Sequence, residues 1–159
     1  MRLLHLPTSW TILVDFVAWF VIHMGVVYLA VRIPSRYFHP ESRLFRLRAW
    51  EDGGHTYQKV FKIKKWKEIL PDGAPLLGSR GFPKKKLWGE SPDFLNSFLQ
   101  ETCRAEFTHW VILLFAPFFF FWNPLWVGFF MIFYALAENI PLIMAQRYNR
   151  ARLRRIIKD

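Results

Sequence analysis

An apolar block from Phe107 to Ala145 extends over 39 residues of this chain and contains a single formal charge, at Glu138. As one helix rising 1.5 Å per residue, the block would be about 58 Å long, nearly twice the thickness of a bilayer's hydrocarbon core. It must therefore turn back once, and the Asn123-Pro124 dipeptide is the strongest turn signal within it. The pattern predicts a helical hairpin with spans at 107–122 and 125–145.

A second apolar block, residues 10–31, is long enough for one further crossing. It lacks a small-residue cleavage site and is too long for the apolar part of a signal peptide, so we expect it to be retained. Two ionisable residues lie inside it. Asp15 has a position that suits the membrane interface, whereas His23 lies deeper and is either a helix-contact residue or a functional one.

The basic residues predict the orientation. Residues 32–106 hold fifteen of the 22 Lys and Arg residues, the stretch after Ala145 holds six, and Arg2 stands alone near the start. Because positively charged segments stay on the cytoplasmic side, we expect both basic segments inside and the N-terminus outside. The net charge of +10 then favours the lipid bilayer as the partner of these segments and not nucleic acid.

These patterns together predict an all-α integral membrane protein with about three transmembrane helices, one single span followed by a C-terminal hairpin. We treat residues 1–159 as a single membrane domain. The segment 32–106 is predicted to be cytoplasmic or interfacial and partly irregular, since glycine and proline breakers recur in it. Residues 146–159 are predicted to form a basic cytoplasmic tail.

Ser91, Pro92 and Asp93 predict a helix start that leads towards the hairpin. On this helix Glu106 and His109 are three residues apart on the apolar stripe, close enough for a carboxylate to orient an imidazole that acts as a general base. A buried ion pair that locks helices together explains the same spacing equally well. The lone Cys103 falls on the opposite arc and is not expected to be a nucleophile.

The returning helix brings further polar residues to the depth of Glu106. Counting from the turn places Glu138 and Asn139 at that level, where polar groups are expected to face protein partners. Beyond them Arg147 and Arg150 could bind phosphate with bidentate geometry, or could simply anchor the cytoplasmic end of the helix. No glycine-rich phosphate loop, metal-ligand spacing or nucleophile elbow accompanies these residues.

Five stretches, in this order, resemble the glycosyl-4,4'-diaponeurosporenoate acyltransferase family: RIPSRYF, EDGGHTY, KKWKEILPDG, ETCRAEFTHW and NIPLIMAQRYNRARL. The resemblance covers nearly the whole chain. It implies a multi-pass enzyme of the bacterial cytoplasmic membrane that esterifies the sugar of a glycosylated carotenoid with a fatty acyl chain, as in staphyloxanthin-type pigment synthesis. Cys103 and His55 depart from the family pattern.

The spacing and charge of the polar residues, together with the positions that match the family, predict a set of site residues, although the resemblance itself assigns no roles to them. We assign catalysis to His109 as the base and Glu106 as its orienting carboxylate. The residues assigned to substrate binding are Arg104, Glu101, Glu138, Asn139, Tyr148, Trp110, Glu51 and Tyr57. Those assigned to the phosphates of the acyl donor are Arg147, Arg150, Lys65 and Lys67.

The predicted function is therefore acyl transfer from an acyl-CoA or acyl carrier thioester to a sugar hydroxyl of a glycosylated isoprenoid or other glycolipid. No bound cofactor or metal is expected, because ester formation from a thioester needs neither. Two alternatives stay open from sequence: a non-catalytic membrane adaptor or lipid-binding protein, and a small membrane methyltransferase.

Overall fold

In the computed structural model, residues 4–70 and 91–158 are described, and they form helices and turns without a β-strand. The α-helices are α1 (Thr8–Ala30), α2 (His55–Lys59), α3 (Pro92–Phe115) and α4 (Leu125–Lys158). Short 3₁₀ helices lie at Ser35–Tyr37, Ala49–Gly54, Ile63–Lys65 and Ala116–Phe121.

Three helical stretches of the described chain are long and apolar enough to cross a bilayer: Thr8–Ala30, Pro92–Phe121 and Leu125–Ile157. Large apolar side chains line their outer faces, as expected for helices that contact lipid tails. The prediction of an all-α membrane fold, with one single span and a C-terminal hairpin, is confirmed. The chain turns between Phe121 and Leu125, at the predicted Asn123-Pro124 dipeptide.

Helix α3 begins where its sequence predicts. The Ser91 hydroxyl accepts a hydrogen bond from the backbone N–H of Phe94 at 3.3 Å, which satisfies one of the N–H groups left open at a helix start. Pro92 occupies the first helical position, where its missing N–H costs nothing. The helix then continues without interruption to Phe115.

Helix α4 is longer than the predicted span. It continues through Pro141 to Lys158, so most of the predicted tail is helical. In the preceding basic segment, residues 33–70 form short helical turns separated by irregular chain, as expected. The remaining breaker-rich part of that segment, residues 71–90, lies outside the described residues.

The chain divides into two compact units. The first comprises residues 1–32 and 107–140 and contains α1, the end of α3 and the first half of α4. Its core is apolar and aromatic. The buried members are Trp19, Val26, Ile112, Ala116, Phe119 and Ala135.

The second unit comprises residues 33–106 and 141–159. Two small apolar clusters support it, one around Phe98 and Leu153 and the other around Tyr57, Ile63 and Tyr148. Between such small clusters lie several fully buried charged side chains, which is unusual because burying a charge is costly unless it is paired. These charges form the first part of the candidate site.

Candidate active site

The turn that carries Glu51 adopts an uncommon backbone conformation. Asp52, Gly53 and Gly54 have φ values of 47°, 55° and 94°, in the region that favours glycine. A side chain on Gly54 would place its Cβ 2.9 Å from the Cβ of Ala151, so only glycine allows the turn to approach α4 this closely. The turn thereby presents the Glu51 carboxylate, which is fully buried, to α4.

Both oxygens of the Glu51 carboxylate accept hydrogen bonds. Oε1 accepts hydrogen bonds from the Tyr57 hydroxyl at 2.6 Å and from Arg147 Nε at 2.8 Å. Oε2 accepts from Arg147 Nη2 at 2.7 Å and from the backbone N–H of Arg48. Burial alone would raise the pKa of Glu51, but these hydrogen bonds outweigh burial and hold the pKa below its ordinary value.

The same arginine links Glu51 to Glu106. Arg147 Nη1 donates to Glu106 Oε1 at 2.6 Å, and Glu106 Oε2 accepts from Arg150 Nη2. Arg150 is completely buried, and its other nitrogens donate to the Phe45 carbonyl at 2.5 Å and to the Thr102 hydroxyl at 3.4 Å. We call Glu51, Arg147, Glu106 and Arg150 the buried ion network.

The buried ion network carries two positive and two negative charges, so its formal charge is zero. The side-chain nitrogens of both arginines have hydrogen-bond acceptors. A buried ion pair is tolerated under this condition. The guanidinium groups predicted to bind donor phosphate therefore donate to Glu51 and Glu106 in this structure. Phosphate binding by Arg147 and Arg150 stays a prediction.

Other predicted residues of the second unit have different partners. Arg104 donates to Glu101 at 3.0 Å, to the Ser35 hydroxyl at 2.7 Å and to the Ile33 carbonyl at 2.5 Å. Its guanidinium also lies over the Phe38 ring. These contacts tie the start of the basic segment to α3, which is a structural role that the sequence did not indicate.

A basic patch forms beside the C-terminal part of α4. Lys67 Nζ donates to Asn149 Oδ1 at 3.2 Å and lies 5.2 Å from the centre of the Tyr148 ring. Burial lowers the pKa of Lys67, and the nearby positive charges of Arg152 and Lys64 lower it further. Such a patch favours an anion, because an added negative charge would relieve the repulsion.

The remaining predicted residue of this region, Lys65, is exposed. Cys103 is fully buried even though it lies on the arc away from the apolar stripe, so protein covers more than one face of this part of α3. The sequence pattern predicted one protein-facing stripe on α3, whereas the structure also buries the face that carries Cys103.

In the first unit His109 is held by Asn139. His109 Nδ1 lies 2.9 Å from Asn139 Oδ1, and Asn139 Nδ2 donates to the Ala135 carbonyl at 2.9 Å. Because the amide nitrogen is committed to a carbonyl, Oδ1 must accept, and His109 Nδ1 must carry the hydrogen. A neutral His109 then has its basic lone pair on Nε2, the tautomer that a general base needs.

Glu138, the neighbour of Asn139 in the sequence, has a different partner. Its Oε1 lies 3.2 Å from Nε2 of His23, the histidine of α1. The same imidazole places Nδ1 2.8 Å from the Trp19 carbonyl. No partner for His23 was predicted from the sequence. Ionisable residues in otherwise apolar spans usually pair with one another, so this rule could have predicted the contact between His23 and Glu138.

Asp15, expected at the membrane interface, is buried by protein and accepts hydrogen bonds from Trp122 Nε1 and Asn123 Nδ2, both at 2.7 Å. It thereby fastens α1 to the turn of the hairpin. Trp110, predicted to bind substrate, has 40% of its surface exposed. Its exposure suits contact with lipid or with an apolar ligand equally.

The fold and these buried clusters define a small all-α membrane protein whose chemically able side chains are gathered in two sets, one in each unit. Within this class the chain belongs to the glycosyl-4,4'-diaponeurosporenoate acyltransferase family, whose sequence model matches residues 34–159. The predicted resemblance is confirmed, and the protein is an acyltransferase.

Curated relatives with that name come from Staphylococcus aureus strains USA300, NCTC 8325 / PS 47 and MRSA252. Each is 32% identical over 140 residues, which cover 88% of this chain and 84% of the relative. No solved structure matches this chain.

Proposed function

We propose that this acyltransferase transfers a fatty acyl group from an acyl-CoA or acyl carrier thioester to a sugar hydroxyl of a glycosylated lipid or carotenoid. The name of the relatives supports a glycosylated diaponeurosporenoate as the acceptor. The three apolar helices support a multi-pass protein of the bacterial cytoplasmic membrane, and the basic segments support an outside N-terminus and a cytoplasmic C-terminus.

The observation that carries this mechanism is the 2.9 Å contact between His109 Nδ1 and Asn139 Oδ1. Asn139 Oδ1 accepts the hydrogen of Nδ1, so the basic lone pair of the neutral imidazole is on Nε2, the nitrogen proposed to take a proton from a hydroxyl. Glu106 lies one helical turn earlier, and its role as a second orienting group stays a prediction. The structure itself supports Asn139 as an orienting residue for His109.

The proposed acyl transfer involves no redox change. His109 Nε2 takes the hydroxyl proton while the oxygen bonds to the thioester carbonyl carbon. The carbon–sulfur bond breaks as the tetrahedral intermediate collapses, and the leaving thiolate takes the proton back from the imidazolium. The products are an ester and a free thiol.

The donor is expected to approach the basic segment of the second unit. The phosphates of coenzyme A, or the acidic surface of a carrier protein, would be attracted by Lys65 and by the basic patch around Lys67. Arg147 and Arg150 would take part only if phosphate replaced their present carboxylate partners. We therefore place the lysines first among the donor-binding residues.

The acceptor is expected to enter from the bilayer, because both its isoprenoid chain and the acyl chain are soluble there. The polar residues proposed to receive its sugar are Glu138 and Asn139 in the first unit. In the second unit the proposed substrate-binding residues are Glu51, Tyr57, Glu101, Arg104 and Tyr148.

Product analysis tests this function. The purified protein in phospholipid nanodiscs is incubated with isotope-labelled palmitoyl-CoA and a glycosylated carotenoid acid, and the products are identified by mass spectrometry. We expect one labelled acyl group, released by mild alkali, on the sugar. A label found only on phospholipid, or only as free fatty acid, would contradict the proposed acceptor.

A further inference from the structure

The pair formed by His23 and Glu138 is not explained by the mechanism above. Nε2 of His23 and Oε1 of Glu138 are 3.2 Å apart, and the two side chains keep 23% and 35% of their surface exposed. His23 lies before residue 34, where the match to the family model begins. It lies about 10 Å from the end of α1, well inside a span.

The contacts of His23 fix how many protons the pair holds. The Trp19 carbonyl can only accept, so Nδ1 at 2.8 Å must carry a hydrogen. Nε2 then faces a carboxylate oxygen, and two lone pairs would repel each other at 3.2 Å. Nε2 makes no hydrogen bond of ordinary geometry within the described residues, but one hydrogen carried by the pair, either on an imidazolium or on the carboxyl group, removes this repulsion, and the pair is neutral overall in both forms. A neutral pair is the least costly way to keep both groups inside a membrane span.

The second oxygen of Glu138 is in a different situation. Oε2 is buried and has no hydrogen-bond partner of ordinary geometry within the described residues. The Tyr134 hydroxyl interacts with this carboxylate, and the next residue along the helix, Asn139, contacts His109 at 2.9 Å. A buried acceptor without a donor costs free energy, so a ligand hydroxyl that bonds to Oε2 would recover that cost.

We propose that His23 is a positioning residue for acceptor binding: it holds Oε1 of Glu138 so that Oε2 accepts a hydrogen bond from a hydroxyl of the acceptor's sugar. Because Asn139 follows Glu138 in the sequence and contacts His109, another hydroxyl of the same sugar would lie near the proposed base. This inference rests on the proposed function, because it assigns the sugar-binding part of that same site.

Two substitutions separate the two contacts of His23. In His23→Gln the amide nitrogen takes the place of Nε2 and can still donate to Glu138. In His23→Asn the amide takes the place of Nδ1, keeps the Trp19 contact and loses Glu138. If His23 acts through Glu138, Asn should raise the KM for the glycolipid about tenfold, while Gln should stay within about threefold of wild type. The KM for palmitoyl-CoA should be unchanged in both.

Glu138→Gln completes the experiment. On this background His23→Asn should cause no further rise in the KM for the glycolipid, because the carboxylate that it positions is gone. Equal effects of Asn and Gln, or an equal rise in the KM for palmitoyl-CoA, would overturn the inference. A lower thermal midpoint with an unchanged KM would overturn it too, since that is the result of a purely structural contact.

A binding measurement keeps this inference separate from the proposed function. Radiolabelled dodecyl glucoside is titrated into nanodiscs that hold the protein, with dodecanol as the sugar-free control. Binding that His23→Asn weakens about tenfold and Gln preserves would support the subsite even if the wild type transferred no acyl group. Normal glucoside binding by a stable His23→Asn protein would overturn the subsite alone and leave the transferase proposal standing.

Discussion

Replacing Arg150 by Met should destabilise the protein strongly, because this arginine is completely buried in the ion network. Met keeps much of the length and apolar stem of Arg but has no donor. The substitution leaves Glu106 Oε2 and the Phe45 carbonyl without the nitrogens that now donate to them. It also changes the formal charge of the network from zero to −1.

The expected loss of stability follows from the buried groups that lose their partner in this variant. Removing one partner of a buried ion pair costs about 3–5 kcal/mol in unfolding free energy, since the other charge stays in a poorly solvating site. For a chain of this size about 2–4 °C is lost per kcal/mol, so the thermal midpoint should fall by roughly 6–20 °C. Arg150→Met combined with Glu106→Gln should recover about 1–3 kcal/mol, because the excess negative charge of the network is removed as well.

The assay is thermal unfolding of the purified variants in one detergent, followed by initial rates at a temperature at which each variant is folded. Arg152→Met is the matched control, since Arg152 lies two residues away and is exposed. We expect the control to stay within about 0.5 kcal/mol of wild type. An Arg150→Met protein with an unchanged midpoint and a raised KM for acyl-CoA would refute the structural role and support phosphate binding.

Two further predictions concern topology and the Glu51 turn. With Cys103 replaced by Ser, a thiol introduced at Pro124 should react with an impermeant reagent outside intact cells, and one at Lys65 should react only after lysis. The opposite pattern would reverse the proposed orientation. Gly54→Ala should cost about 1–3 kcal/mol, because its φ of 94° and a contact of 2.9 Å to an α4 side chain oppose any Cβ. Gly53→Ala, with nothing within 4 Å of its Cβ, should cost clearly less by thermal unfolding.

The sequence predicted the membrane fold well because its main signals are local. The length of the apolar block, the Asn123-Pro124 turn and the cap at Ser91 each depend on a few neighbouring residues, and the structure contains all three. The extension of α4 to Lys158 was not predicted. A basic, polar stretch gives no apolar signal of its own, and it becomes helical here while packing in the second unit.

The candidate site was harder to predict because it depends on contacts between residues that are far apart in the sequence. Spacing predicted Glu106, His109 and Asn139 as polar site residues and paired Glu106 with His109 on the same helix, and that pairing stays a prediction. The structure adds Arg147 and Arg150 as the partners of Glu106 and Asn139 as the partner of His109. Helical periodicity carries no information on which distant side chain meets which.

The single-turnover rate of acyl transfer by His109→Ala directly tests whether this histidine is the general base. The protein is reconstituted in nanodiscs with saturating acyl-CoA and glycolipid, and its thermal midpoint is compared with that of wild type. A general base contributes about 10²–10⁴-fold to the rate, so we expect a loss of that size in a protein that stays folded. Asn139→Ala should lose less, because it disturbs the orientation of the imidazole and leaves the base in place. Transfer at close to the wild-type rate by a stable His109→Ala protein would contradict the proposed mechanism.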